Sequence, residues 1–550
     1  MRLVKISVFI LVLCLAIIGQ TNRGGISGTV TDSNGAAVPN AKVMITNVGT
    51  SKVITLTTSS SGTFSASSLE PVPYNVLVEA PNFKKSIVQN IKVDTASIQT
   101  VNIVLEVGNF SETVTVQSDE ALVNTENGTT AQTISEMQLR ELPLVNRSVL
   151  DLAVTLPNVS GDSGSEDPAV TSGQPVPGYN LSLNGGRPGG TSILADGVNN
   201  TGVGIGRSIV SFTPETVQEF TVQTSAYSAE FGNTSGGVVS ITTKSGTDRF
   251  TGTALWYSRN PEFNARPYRI GTTPRTPNNL RYNQVSLSVG GPVYLPAFGE
   301  GGPMLYDGHN RTFFFFAYEP RWRKDFVTTT TLLPTEAERN GDFRGLIRTS
   351  SGWLPTSVAS QFGITSSVGP MAIYQQYTIG PGGKFVPITG VATGGAGRWY
   401  CQFGSPLADA NNTCPNNTAI NDSLNVIPQQ FIDPTAKKIL EFMPKGGDYF
   451  LDNGFVRNYV VNREVTQNET RYTLRLDHNI TKNNKISFRY SATPTTGVRD
   501  FGTDVNGSTG VYGDAKQYLI SDDQIFSSSI VNNLRLSYTR GVFSEDFAPQ

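Results

Sequence analysis

With 550 residues and 38% hydrophobic side chains, the chain is long enough for three or more packed domains, and general disorder is excluded. Its 42 Lys and Arg against 44 Asp and Glu leave a formal net charge of -2, so charge gives no reason to expect nucleic acid or an anionic membrane surface as partner. The 55 glycines and 31 prolines suit many strands and turns and few long helices, and a mainly β protein is expected.

The first element, residues 1–21, reads as a secretory signal peptide. Arg2 and Lys5 precede an apolar run from Ile6 to Ile18 that is short for a bilayer span, with small or polar residues after it. Cys14 follows Leu13, where a lipoprotein signal calls for a small residue, so lipidation is the alternative. Removal of this segment leaves Cys401 and Cys414. Two nearby cysteines of an exported chain, in a Gly/Asn-rich stretch, are expected to close a disulfide loop, the other reading being two unpaired thiols.

Residues 24–107 follow as a first unit. Ile26, Gly28 and Val30 alternate before an Asn34-Gly35 turn, then come Val43 and Ile45, Tyr74, Val76 and Val78, and Val101, Ile103 and Leu105. Short strands at this spacing predict a small β-sandwich. The stretch resembles the carboxypeptidase regulatory-like domain, an immunoglobulin-like sandwich, through Gly28, Val30, Asp32, Val38, Pro39, Ala41, Leu69, Pro71 and Tyr74. Val72 stands where that pattern has a glycine.

Residues 108–119 are read as a linker, and 120–247 as a small α/β domain. "TISE" at 133–136 predicts a capping box, "SVLDLAVTLP" a short helix stopped by Pro157, and "TPET" at 213–216 a third helix with Thr213 as N-cap. Residues 157–180, rich in Pro, Gly, Ser and Asp, read as a loop within this domain. "GGVVSITTKSGT" at 236–247 has a Lys-Ser pair but Thr243 where a phosphate-binding loop needs glycine, so it reads as a strand.

From 248 to 550 the alternation is emphatic. Tyr472, Leu474, Leu476 and Ile480 oppose Arg471, Thr473, Arg475 and Asp477. Ile486, Phe488 and Tyr490 oppose Lys485, Ser487 and Arg489, and Leu534, Leu536 and Tyr538 oppose Asn533, Arg535 and Ser537. Periodicity alone fits a soluble sandwich as well. Strands ending in aromatics and very unequal connections favour an antiparallel transmembrane β-barrel.

The stretches "LSLNGGRPGGTSILADGVNN" and "VQEFTVQTSAYSAEFGNTSGGVVSITTKSGTDRFTGTALW" resemble the plug of a TonB-dependent outer-membrane receptor running into its first barrel strand. "SLSVGGPV", "RTFFFFAYE", "LPTEAERNGDF" and "NVIPQQFIDPTAKKIL" are similar to the Oar-like branch, which also carries the regulatory-like domain in front. The resemblance implies a plug motif carried by Arg187, Asp196, Gly197, Gly236, Gly237 and Lys244, with Lys244 a solvated or lumen-facing charge. It implies a receptor in the bacterial outer membrane, its N-terminal domain in the periplasm. The partners implied are TonB, outer-membrane lipid and an unidentified extracellular ligand. The family barrel has about 22 strands. Some seven candidates follow residue 248, so an incomplete open reading frame or a truncated receptor is expected.

"ETVTV", Glu112, Thr113, Val114, Thr115 and Val116, resembles a TonB box, an extended segment that pairs edge to edge with the energy-transducing partner; the alternative is a last strand or linker. Enzyme chemistry finds little support. The two histidines, His309 and His478, head no zinc-binding pattern, and "GVGIG" at 202–206 misses the dinucleotide spacing. No catalytic residue, metal or cofactor is expected. Energy-coupled uptake is the favoured function, with a surface adhesion or structural protein as the alternative.

Overall fold

The computed structural model describes residues 23–95, 97–108, 113–117, 130–142, 144, 147–161, 181–202, 206–225, 227, 231–263, 280–295, 306–343, 426–452, 455–499, 507–527 and 530–549, with four short paired segments between 377 and 399. The signal peptide, Glu112, Cys401 and Cys414 lie outside the described residues. Two compact units are present. The first is Met1–Asp325, Thr466–Val498 and Gly510–Asp546; the second is Phe326–Val465, Arg499–Thr509 and Phe547–Gln550.

The N-terminal strands are β1 (Gly24–Asp32), β2 (Lys42–Asn47), β3 (Val53–Thr57), β4 (Thr63–Leu69), β5 (Pro73–Glu79), β6 (Lys85–Lys92), β7 (Ile98–Thr100), β8 (Ile103–Leu105) and β9 (Thr113–Gln117). They form two sheets, one with β4, β7 and β8 around β1, the other in the order β3-β2-β5-β6-β9. Alternate residues face inward, so Ile26, Val30, Val43, Ile45, Val76, Val78 and Leu105 make one apolar core. Asp32 fixes the turn after β1, its Oδ1 accepting from the N–H groups of Asn34 at 2.9 Å and Ala36 at 2.8 Å, while Gly35 takes a φ of 82°. Gly28 is required where β1 passes the next segment, since a Cβ there would collide with the Val101 carbonyl. The stretch 108–119, read as a linker, contains β9, which pairs in parallel with β6 from Lys85↔Thr113 to Gln89↔Gln117.

The middle domain contains β10 (Thr130–Ser135), β11 (Val159–Ser160), β12 (Ser182–Leu183), β13 (Thr191–Ala195), β14 (Val198–Asn199), β15 (Val217–Ser225) and β16 (Gly237–Thr243). Its main sheet runs β10-β15-β16-β13-β14, with β13 and β16 parallel. Ile134, Leu139, Leu152, Ile193, Phe220, Val239 and Ile241 share a second core. Local chemistry corrects two sequence expectations and specifies the type of the short helix expected before Pro157. The capping box belongs to Ser135 and Gln138, ahead of the helix Glu136–Glu141, because Thr133 is already in β10. Val149–Thr155 is a 3-10 helix. "TPET" makes a turn closed by Thr216 N–H on the Thr213 carbonyl at 3.0 Å and enters β15 directly, with no helix.

A seven-stranded sheet follows, antiparallel in its registered pairs: Thr251–Arg259, Arg281–Pro292, Thr312–Thr331, Tyr459–Thr481, Asn484–Arg499, Gly507–Ser527 and Ile530–Pro549, in that order across the sheet. Its first and last strands are edges. In the second unit, two of the motifs that carry the family resemblance come together. Ile427 N–H donates to the Gly341 carbonyl at 2.8 Å and Gln429 Nε2 to the Asn340 carbonyl at 2.9 Å. The helix Pro434–Phe442 there is capped by Asp433, which accepts from Thr435 N–H at 2.6 Å.

Candidate functional site

The wall sheet reverses the usual distribution of polarity. In the strand Tyr459–Thr481, Arg471, Thr473, Arg475 and Asp477 are buried, whereas Leu476 and Ile480 are exposed. In the neighbouring strand Lys485, Ser487 and Arg489 are buried and Ile486 is exposed; in the last strand Leu534, Leu536 and Tyr538 are each at least half exposed. Charges buried at this density are tolerable only when paired. An exposed band of Leu, Ile and Tyr is tolerable when its surroundings are lipid.

The buried charges form three groups. In the first, Arg475 grips Asp477 through Nε at 3.0 Å and Nη2 at 3.1 Å, while Lys485 Nζ lies 3.1 Å from Asp477 and Ser487 Oγ donates to it at 2.7 Å. Glu70, just past β4 of the sandwich, accepts from Lys485 Nζ at 2.6 Å and Arg475 Nη2 at 3.2 Å. Arg23 Nη2 stands 2.5 Å from Asp523 Oδ2 alongside. Burial acts to raise the Glu70 carboxyl, but Lys485, Arg23 and Arg475 outweigh it and hold the group well below the usual carboxylate range. A cavity of about 50 Å³ adjoins this group, lined by Arg23, Glu70, Asp196, Arg475 and Arg489 among others, room for water.

The second group is centred on Asp196. The Asp196-Gly197 turn between β13 and β14 has φ angles of 48° and 78°; glycine adopts the second without strain, and aspartate is among the side chains that tolerate the first. Asp196 Oδ1 accepts from Thr243 N–H at 2.8 Å and Oδ2 from the Thr243 hydroxyl at 2.7 Å, which ties the turn to the end of β16. Arg489 Nε approaches Asp196 Oδ2 at 3.1 Å, with its guanidinium 5.2 Å above the Phe212 ring. Arg475 Nη1 donates to the Thr243 carbonyl at 2.9 Å. The third group pairs Arg147 with Glu215 in the middle domain, next to Ser286, and joins Arg471 to Glu319 at 3.1 Å and to Glu469 at 2.5 Å, with Arg321 on Glu469 at 2.9 Å.

Other expected site residues sit apart from this arrangement. Arg187 is exposed, its carbonyl closing a turn with Gly190 N–H at 3.1 Å. Lys244 pairs with Glu136 at 2.8 Å. Gly236 and Gly237 permit close approach, since a Cβ would strike the carbonyls of Leu183 and Gln223 respectively. Thr113, Val114, Thr115 and Val116 lie in β9, already paired on one side. Of the charged residues in these three groups, motif reasoning named only Asp196 as a site residue; Glu70, Glu215, Arg147 and Arg489 are among those it missed. The signal available was the charged stripe of the wall strands, which requires countercharges from whatever packs against it.

The sandwich meets the middle domain at Glu219. Its Oε1 accepts from Thr95 N–H at 2.6 Å, and the Thr95 and Thr242 hydroxyls are 3.0 Å apart. Burial pushes the Glu219 carboxyl up to about 7; the hydrogen bond from Thr95 opposes the rise and Asp94 adds to it.

Residues 25–106 match the family described as carboxypeptidase regulatory-like domain, and residues 242–550 match the family described as outer membrane beta barrel domain. Among characterised proteins, the chain is similar to the TonB-dependent transporter Oar of Myxococcus xanthus, 24% identical over 333 residues, which cover 58% of this chain and 28% of that protein. Among solved structures it is similar to the outer membrane transporter YddB from Escherichia coli (TM-score 0.40, 10% identity, 74% of this chain and 38% of that one). It is also similar to the siderophore receptor PirA from Acinetobacter baumannii (TM-score 0.31, 12% identity, 76% and 44%). The chain thus spans under half the length of each of these relatives. With the match to 242–550 covering more than half of the chain, and a wall whose apolar side chains face outward, the chain belongs to the outer membrane beta barrel domain family of the bacterial outer membrane.

Proposed function

We propose that this protein is a TonB-energised outer-membrane receptor that takes up a scarce extracellular ligand, with residues 120–247 as its plug, 24–107 as a periplasmic domain and 112–116 as the segment that TonB engages. One observation carries the reading: a separately cored middle domain faces the charged side of an inside-out wall and is joined to it by paired charges, Asp196 with Arg489 foremost. A domain held in place mainly by hydrogen bonds and ion pairs, with most of its apolar residues turned into its own core and Ala515 of the wall packed against it, can shift while exposing little apolar surface. That is what a plug inside a pore requires.

Isogenic strains with and without the protein test this reading when grown in a defined mixture of iron chelates, glycans and peptides. Depletion of at least one component by the producing strain alone, abolished by a protonophore, is the expected result. Equal depletion by both strains would remove the uptake reading and leave the adhesion alternative.

A further inference from the structure

Among the described residues, the core cluster of the sandwich shares no residue with that of the middle domain. Its apolar cluster runs from Ile26 to Leu105, and that of the middle domain from Ile134 to Ile241. Polar links join the two bodies and the wall: Glu70 with Arg475 and Lys485, Arg23 with Asp523, Thr95 with Glu219 and Thr242, and Asp248 N–H on the Gly49 carbonyl at 3.0 Å. Lys485 and Asp477 stand close to the tight turn between Thr481 and Asn484, and tight turns of outer-membrane barrels lie on the periplasmic side. Both faces of such a seam regain hydration when they part, unlike an apolar interface.

We propose that the regulatory-like sandwich is a detachable gate, latched by Glu70 and Arg23 to the periplasmic rim of the wall and released as one intact body when those pairs separate. The proposal rests on the energised-transport reading, and β9 makes the connection. Tension on Thr113–Gln117 passes into the sandwich through the β6–β9 ladder. The latch is therefore among the contacts that this tension loads. Its components suit repeated use, because Glu70 has two cations to return to and each cation keeps a second anion, Asp477, while the gate is open.

Thr95, 1% exposed against Glu219, reports the gate. In cells producing the protein with Cys401 and Cys414 replaced by serine, Thr95→Cys is labelled with a membrane-permeant maleimide, and a cysteine at the exposed Thr57 serves as control. Adding Glu70→Gln is expected to speed labelling at position 95 by at least about tenfold, with the control unchanged, because it removes the carboxylate that ties Arg475 and Lys485 to the sandwich. Asp523→Asn acts in the same direction from the wall side, leaving the sandwich's own residues unchanged, so a folding defect of one variant does not decide the matter. A protonophore is expected to slow labelling of the otherwise unaltered protein. Labelling that neither variant accelerates would overturn the latch, and labelling indifferent to energisation would overturn the gate. Val114→Pro separates the underlying reading: if labelling remains protonophore-sensitive in that variant, the gate stands and the TonB segment lies elsewhere.

Discussion

Arg489 Nε lies 3.1 Å from Asp196 Oδ2, which joins a wall strand to the turn between β13 and β14 of the middle domain. The same carboxylate holds Thr243 by two hydrogen bonds, so Asp196 fixes at once the turn, the end of β16 and the wall. Asp196→Ala leaves a buried guanidinium without its countercharge and is expected to cost about 3–5 kcal/mol. Thr243→Val loses the hydroxyl's bond to Asp196 and its long contact from Arg475 Nη1 at 3.4 Å, keeps the backbone bond to Asp196, and should cost about 1 kcal/mol. Urea unfolding of the purified protein in detergent ranks the two; equal midpoints would contradict the role given to the carboxylate.

Two glycines should respond differently to alanine. At Gly237 the added Cβ meets the Gln223 carbonyl of the adjacent strand, an overpacking expected to cost about 1–3 kcal/mol. At Gly35 there is open space, and the cost of about 1 kcal/mol comes from holding alanine at a φ of 82°. Repacking can relieve the first cost and not the second. Trimming Leu183, which also faces the new Cβ of Gly237→Ala, should cost less in that variant than in the parent, a favourable coupling read from a double-mutant cycle, whereas Gly35→Ala has no neighbour within 4 Å to couple with.

The Glu219 contact should weaken as pH rises. Its folded pKa, about 7, lies above the ordinary carboxyl value of 4.5, so the contribution is full below about 4.5 and is lost as pH climbs through about 7. Glu70 has the opposite sign. Held low by its cations, it contributes fully above 4.5 and loses that contribution only under acid conditions. Between pH 6 and 8 only Glu219 titrates of this pair. Taken relative to the exposed control cysteine at Thr57, so that ionisation of the thiol itself cancels, labelling of a cysteine at Thr95 should therefore accelerate over that window, and Glu219→Gln should flatten that ratio. A profile unchanged by Glu219→Gln would assign the dependence to another group.

On the wall, Leu536→Lys places a charge in the exposed apolar band. In a soluble sheet such a change is close to neutral. In lipid it costs about 2–4 kcal/mol near the midplane. A marked fall in the amount recovered from the outer-membrane fraction is expected, and undiminished recovery would count against a lipid-facing position.

The strands of the sandwich and wall could be read from period-two alternation because each has one buried face and one different in character. Which face is buried could not. For Arg471, Arg475 and Asp477 the pattern is the same whether the charges point to water or inward, and the answer came from Glu70 and Thr243, distant in sequence, meeting them. Helices were harder to read. Thr213 and Pro214 have good N-terminal chemistry, yet the segment turns straight into β15 because Val217 is committed to pairing with Thr243. The segment 113–116 was legible as extended, and its partner strand β6 was not, since pairing carries no local signature.

The most direct measurement for the whole account is binding of the TonB C-terminal domain to the purified protein and to two variants at one position. Val114→Pro removes a backbone donor and fixes φ in the middle of the segment, while Val114→Thr keeps both the donor and the β-branching. The account predicts that the parent and Val114→Thr bind alike and that Val114→Pro, present in normal amount, does not bind. Binding by Val114→Pro at the parental level would contradict it.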